Sequence, residues 1–106
     1  EKTIDILCAG EILIDCIGQQ TNATLAETTS YARFLGGSPT NVAINASKLG
    51  LRSALVASCG ADGLGDFMIA SLQKANVITT QLSQKQDTST SIILVSKSTG
   101  TPDFIP

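Results

Sequence analysis

Residues 4–17 are almost unbroken in β-branched and aliphatic side chains: Ile4, Ile6, Leu7, Cys8 and Ala9, then Ile12, Leu13, Ile14 and Ile17. The run is too continuous for a half-exposed strand and predicts one buried on both faces, as in a sheet covered by helices. Gly10 and Glu11 interrupt it, and Asp15 sits among apolar neighbours near its far end. Residues 19–24 are polar turn material, and residues 28–34 alternate as a half-exposed strand does. After Gly36-Gly37-Ser38-Pro39-Thr40-Asn41, the apolar positions Val42, Ala43, Ala46 and Leu49 mark one face of a helix. Ser38 is placed to cap that helix, with Pro39 at its first position and Gly50 just past its end. Residues 53–59 read as a short buried strand. A second helix follows with Leu64, Phe67, Met68, Leu72 and Ala75 on one face and Asp62 as its cap. A strand over residues 91–97, a turn at 98–100 and a returning arm at 101–105 close the pattern.

The order of strand, exposed strand, helix, strand, helix, strand and hairpin predicts an α/β fold with a largely parallel sheet and right-handed crossovers. The exposed strand and the late hairpin do not fit inside that sheet. They predict a second, small antiparallel sheet projecting from it, with strands within about 12–34 and 90–105. Residues 1–106 read as part of one domain, because no closing element follows the hairpin.

Composition narrows the chemistry. Of 106 residues, 42% are hydrophobic and 15% charged, with a net charge of -2, which excludes a disordered or highly charged chain. There is no basic stripe for nucleic acid. No apolar run reaches the roughly 18 residues a membrane span needs, and Glu1-Lys2-Thr3 does not open a signal peptide. The expected location is therefore the cytoplasm. Cys8, Cys16 and Cys59 are an odd number with no C-x-x-C pair, and read as reduced, mostly buried thiols. With no histidine in the chain, nucleophile–histidine pairs and most zinc sites are absent, and no metal site is expected.

Three features carry candidate chemistry. Gly60-Ala61-Asp62-Gly63-Leu64-Gly65 joins a strand to a helix, but its order is G-x-x-G-x-G and no Gly-Lys-Ser/Thr follows. It reads as a structural turn rather than a phosphate loop. Gly36 and Gly37 let backbone approach a ligand closely, at the positive end of the helix that follows. Asn41, in its first turn, can donate to and accept from a sugar hydroxyl. The same residues also suffice as a well-capped helix start that needs no ligand. Asp15 is costly to bury without partners, so it belongs at the end of its strand, facing a cleft or satisfying a loop. Glu11 shares that ambiguity.

Together these residues resemble the ribokinase-like (PfkB) carbohydrate kinases. The likeness lies in I-L-C-A-G-E-I-L-I-D, in F-L-G-G-S-P-T-N-V-A-I-N-A-S-K-L-G and in S-C-G-A-D-G-L-G-D-F-M, which keep that family's order and spacing. G-E-I-L-I-D and G-G-S-P-T-N look most like fructokinases and the kinases of keto-sugar acids. The resemblance implies that the small sheet is a lid closing over a sugar and forming a possible homodimer contact. It implies that Asp15, Gly36, Gly37 and Asn41 bind the sugar, with Glu11, Ile92 and Phe104 as further candidates and Tyr31 and Leu94 less specific ones. It also implies transfer of the ATP γ-phosphoryl group to a sugar hydroxyl with Mg²⁺, using an aspartate base. That base and the ATP pocket belong to a later Gly-Ala-Gly-Asp segment, which nothing in 1–106 matches. No catalytic residue and no bound cofactor are therefore expected for this stretch alone, which would need the remainder of the kinase chain.

Overall fold

The computed structural model describes residues 3–97, together with the backbone of residues 104–105. The elements run β1 (Ile6–Ala9), β2 (Leu13–Thr21), β3 (Tyr31–Gly36), α1 (Ser38–Lys48), β4 (Ser53–Gly60), α2 (Gly63–Lys74), β5 (Leu82–Lys85), β6 (Ile92–Lys97) and β7 (Phe104–Ile105). Strands β1, β4 and β5 form a parallel sheet in the order β1-β4-β5, the body. The other four form the lid, in the order β3-β2-β6-β7. The α/β architecture is the one predicted from alternating strands and helices.

Three expectations need correction. The apolar run at residues 4–17 is two strands in two sheets. Gly10, at φ 149°, turns the chain against the ring of Pro39, so β1 stays in the body and β2 leaves for the lid. Nor is the run buried on both faces: Leu7 is 59% exposed on β1, and Val56 is exposed on the neighbouring β4. The described helices cover only the face that carries Cys8 and Leu55. The lid, expected to be antiparallel, is mixed. Its outer pairs β2–β3 and β6–β7 are antiparallel, but the central pair β2–β6 is parallel. The chain returns from the body through β5 and so enters β6 at the same end from which it entered β2. The expected turn at residues 98–100 lies outside the described residues.

Helix α1 starts one residue earlier than its pattern suggests. Gly37, at φ 96° and ψ 137°, is the capping position, and Ser38 is already helical and makes no side-chain cap. Its buried side is Thr40, Ala43 and Ala46, while Val42 and Leu49 face outward. Small residues let the helix lie close on the sheet, where the Ser53 hydroxyl donates to the Ala43 carbonyl at 2.7 Å. Helix α2 follows expectation. Asp62 caps it by accepting from Gly65 N–H at 2.8 Å, and Met68 and Leu72 are buried. The short edge strand β5, with Leu82 as its one apolar residue, was not predicted.

One core joins the two sheets. It contains Cys8, Leu55, Cys59, Met68, Leu72 and Val77 from the body, with Ile12 and Ile14 from the foot of the lid. Beyond that foot the lid projects, so the radius of gyration is 15.1 Å against about 13 Å for a compact chain of 100 residues.

Candidate functional site

The site is built by strand parity at the foot of the lid. In β2, Ile14 points into the core while Leu13 and Asp15 occupy the opposite face, because neighbouring side chains alternate. Across the antiparallel pair, Leu13 stands opposite Gly36 and Asp15 opposite Phe34. A Cβ on Gly36 would lie 2.7 Å from Asp15 Oδ2 and closer still to Leu13. The missing side chain thus makes room for the Asp15 carboxylate. Gly37 follows with its positive φ, and a Cβ there would lie 2.5 Å from the Glu11 carbonyl. Asp15, Gly36, Gly37 and the backbone of Glu11 therefore share one corner. Asn41 is exposed one turn into α1, and its N–H donates to the Gly37 carbonyl at 3.3 Å.

Two adjoining cavities open beside Glu11, beyond the carboxyl ends of β1 and β4, where open α/β sheets place their ligands; Asp15, Gly36, Gly37 and Asn41 line neither of them. One, of about 250 Å³, is lined by Gly10, Glu11, Ser58 and Cys59, with Thr88, Ser89 and Ser91 on its far wall. The other, of about 280 Å³, is lined by Glu11, Leu13, Ser91, Ile92 and Ile93. Parallel pairing puts Ile93 beside Asp15 and Ile92 beside Ile14. Leu13, Ile93 and the hydroxyls of Ser58, Thr88, Ser89 and Ser91 were missed by sequence reasoning. The period of two from Asp15 was a signal for Leu13 alone. Phe104 stands opposite Val95 in β7, and its side chain lies outside the described part. Tyr31 and Leu94 pair with Gly18 and Cys16 and so share the other lid face.

The chemistry of this corner is that of hydrogen-bond acceptors and hydroxyls. Asp15 is half-buried, and its carboxylate has no hydrogen-bond partner among the described residues. The opening N–H groups of α1 have no intrahelical acceptor and carry the positive end of the helix dipole. Among the described residues no lysine or arginine lines either cavity. Burial pushes the Cys59 thiol up, and Asp62 and Asp66 add to the effect. Cys59 is thus a neutral thiol at pH 7 and not an activated nucleophile.

Residues 3–106 match the family described as "pfkB family carbohydrate kinase". The chain belongs to the pfkB family of carbohydrate kinases. An ATP-dependent 6-phosphofructokinase of Thermoanaerobacterium thermosaccharolyticum is 40% identical over 102 residues, covering 96% of this chain and 31% of that protein. A 5-dehydro-2-deoxygluconokinase of Bacillus subtilis is 36% identical over 87 residues, covering 82% of this chain and 27% of that protein. The solved fructokinase of Halothermothrix orenii superposes with a TM-score of 0.89 at 40% identity, covering 97% of this chain and 37% of that one. The pfkB chain described here thus spans about a third of the length of the relatives it matches.

The family implies ATP, and the residues present do not fit it. In the glycine-rich turn before α2, a Cβ on Gly65 would collide with the Gly60 carbonyl, and the Asp62 carboxylate fills the mouth of the turn. Gly60 and Gly65 serve close packing, and a carboxylate there repels phosphate. Among the described residues no group of three or more His, Cys, Asp or Glu side chains gathers to hold a metal. Also among them, no helix is long and apolar enough to cross a membrane.

Proposed function

We propose that this chain is the amino-terminal, sugar-binding portion of an ATP-dependent carbohydrate kinase. The observation that carries the reading is the Asp15 carboxylate seated over Gly36, unpaired among the described residues, at the carboxyl end of the body sheet. Asp15 accepts hydrogen bonds from sugar hydroxyls, Gly36 and Gly37 bring backbone N–H groups close, and Asn41 binds a further hydroxyl. Glu11 and Ile92 border the adjoining cavities, and Phe104 on β7 is a further candidate. The rest of the kinase supplies the aspartate base, the ATP and Mg²⁺ site and the cover for the open β1–β4 face. The reaction it completes transfers the γ-phosphoryl group to a sugar hydroxyl.

The Glu11 and Asp15 carboxylates, as hydrogen-bond acceptors, support a neutral, fructose-like sugar end here. A keto-sugar acid needs a cation for its carboxylate. The free lid face also exposes Phe34, which supports a second reading as a dimer contact or as a non-catalytic sugar-binding module.

In the full-length kinase, Asp15→Ala is expected to weaken sugar binding roughly 10- to 100-fold, the worth of a charged hydrogen bond, with the fold intact. Unchanged affinity and turnover across a sugar panel would reject the pocket. The 106-residue chain alone is expected to show no ATP-dependent sugar phosphorylation in a coupled assay.

A further inference from the structure

Asp62 does more than cap α2. Its Oδ1 accepts from Gly65 N–H at 2.8 Å and from the Thr90 hydroxyl at 2.7 Å, and its Oδ2 accepts from Thr90 N–H at 2.9 Å. The Thr90 oxygen accepts in turn from Gly60 N–H at 3.0 Å. Thr90 is 5% exposed, and the bond it accepts from Gly60 is buried, where an unmet donor is costly, while those to Asp62 are half-buried. One carboxylate therefore ties the end of β4 and the start of α2 to the approach to β6. From Thr90 the chain passes to Ser91, whose carbonyl accepts from Ile14 N–H at 2.9 Å. The rungs Ile14–Ile92 and Asp15–Ile93 follow at once.

This connection bears on a problem that β2 and β6 share. A hairpin takes its register from its turn, and a slip of one residue exchanges the two faces of a strand. The parallel pair β2–β6 has no turn, because β3, α1, β4, α2 and β5 lie between its strands. Side-chain hydropathy does not discriminate either, since Ile92, Ile93, Leu94 and Val95 are all apolar.

We propose that Asp62 is a positioning residue: through Thr90 it sets the register of β6 against β2 and so decides which isoleucine stands beside Asp15. The consequence for sugar binding rests on the reading under Proposed function, whereas the register does not.

Amide hydrogen exchange on the full chain tests the register. Thr90→Val removes the hydroxyl at similar size. Asp62→Ser keeps an oxygen to cap α2 but is too short to reach Thr90. In both, the Ile14 and β6 amides are expected to exchange roughly tenfold faster relative to those of β4 and α2, with Thr90→Ser close to wild type. Unchanged β2–β6 protection overturns the proposal. A loss spread uniformly over body and lid does too, because Asp62 is then only a helix cap. In the full-length kinase, Asp62→Ser is expected to raise the sugar KM more than it lowers kcat. Faster β2–β6 exchange with an unchanged KM keeps the register role and rejects Asp15 as a sugar ligand.

Discussion

The body and the lid use strands of similar apolar content but are held in different ways. In the body, two helices cover one face of the parallel sheet and enclose Leu55, Met68 and Leu72. Among the described residues no helix packs along the length of the lid. Its foot is anchored because Ile14 is fully buried in the body core and Leu35 packs against that core. Two rungs further out, Arg33 lies over the Phe67 ring of α2, 4.1 Å from its centroid. Stability should therefore fall from foot to tip rather than drop at a boundary between sheets, and the sugar candidates sit at the rigid end.

The largest test compares the two anchors. Leu55→Ala in the body and Ile14→Ala in the lid should each cost about 2–5 kcal/mol in urea denaturation, in one cooperative transition. A cost below about 1 kcal/mol for Ile14→Ala would make the lid a separate unit. Next come the glycines at the junction. Gly36→Ala and Gly37→Ala should cost about 1–3 kcal/mol, the first by displacing Asp15 and the second by strain and collision with the Glu11 carbonyl. A neutral Gly36→Ala would show that the corner is looser than described.

Acid tests the Asp62 connection from another side. Hydrogen bonds, that from the Thr90 backbone first, hold its carboxyl below the usual carboxylate range. A lowered folded pKa means that its stabilising contribution is complete above the unfolded value of about 4. It is then lost as pH falls through the folded value. The stability gap between wild type and Asp62→Asn should stay level from neutral pH to about 4 and narrow below it. A gap that widens in acid would reverse the sign. The smallest effect belongs to Arg33→Ala, about 0.5–1 kcal/mol for an exposed cation–π pair, expressed as faster exchange in β3 than in the body.

The same contrast explains what was legible in the sequence. Both helices were, because their apolar spacing and the stop at Gly50 or the cap at Asp62 are local signals. So were the lid segments and the pairing of Asp15 with the Gly36-Gly37 turn. The division of residues 4–17 was not, since nearly every side chain there is apolar and only the packing of Gly10 against Pro39 shows the bend. β5 carries too little apolar character to announce an edge strand. The direction of β2 against β6 depends on a connection through β3, α1, β4, α2 and β5, which no local pattern records. For that reason Ile93 could not be separated from Ile92 as the neighbour of Asp15.

The parallel seam also sets an order of events during synthesis. β2 and β3 leave the ribosome as an early hairpin, while the strand that completes the β2 edge lies after α1, β4, α2 and β5. At ordinary elongation rates that edge stays unpaired for several seconds. An open, apolar edge is a template for the wrong neighbour. Nascent copies crowded on one messenger are thus expected to be most prone to mispairing before residue 92 emerges.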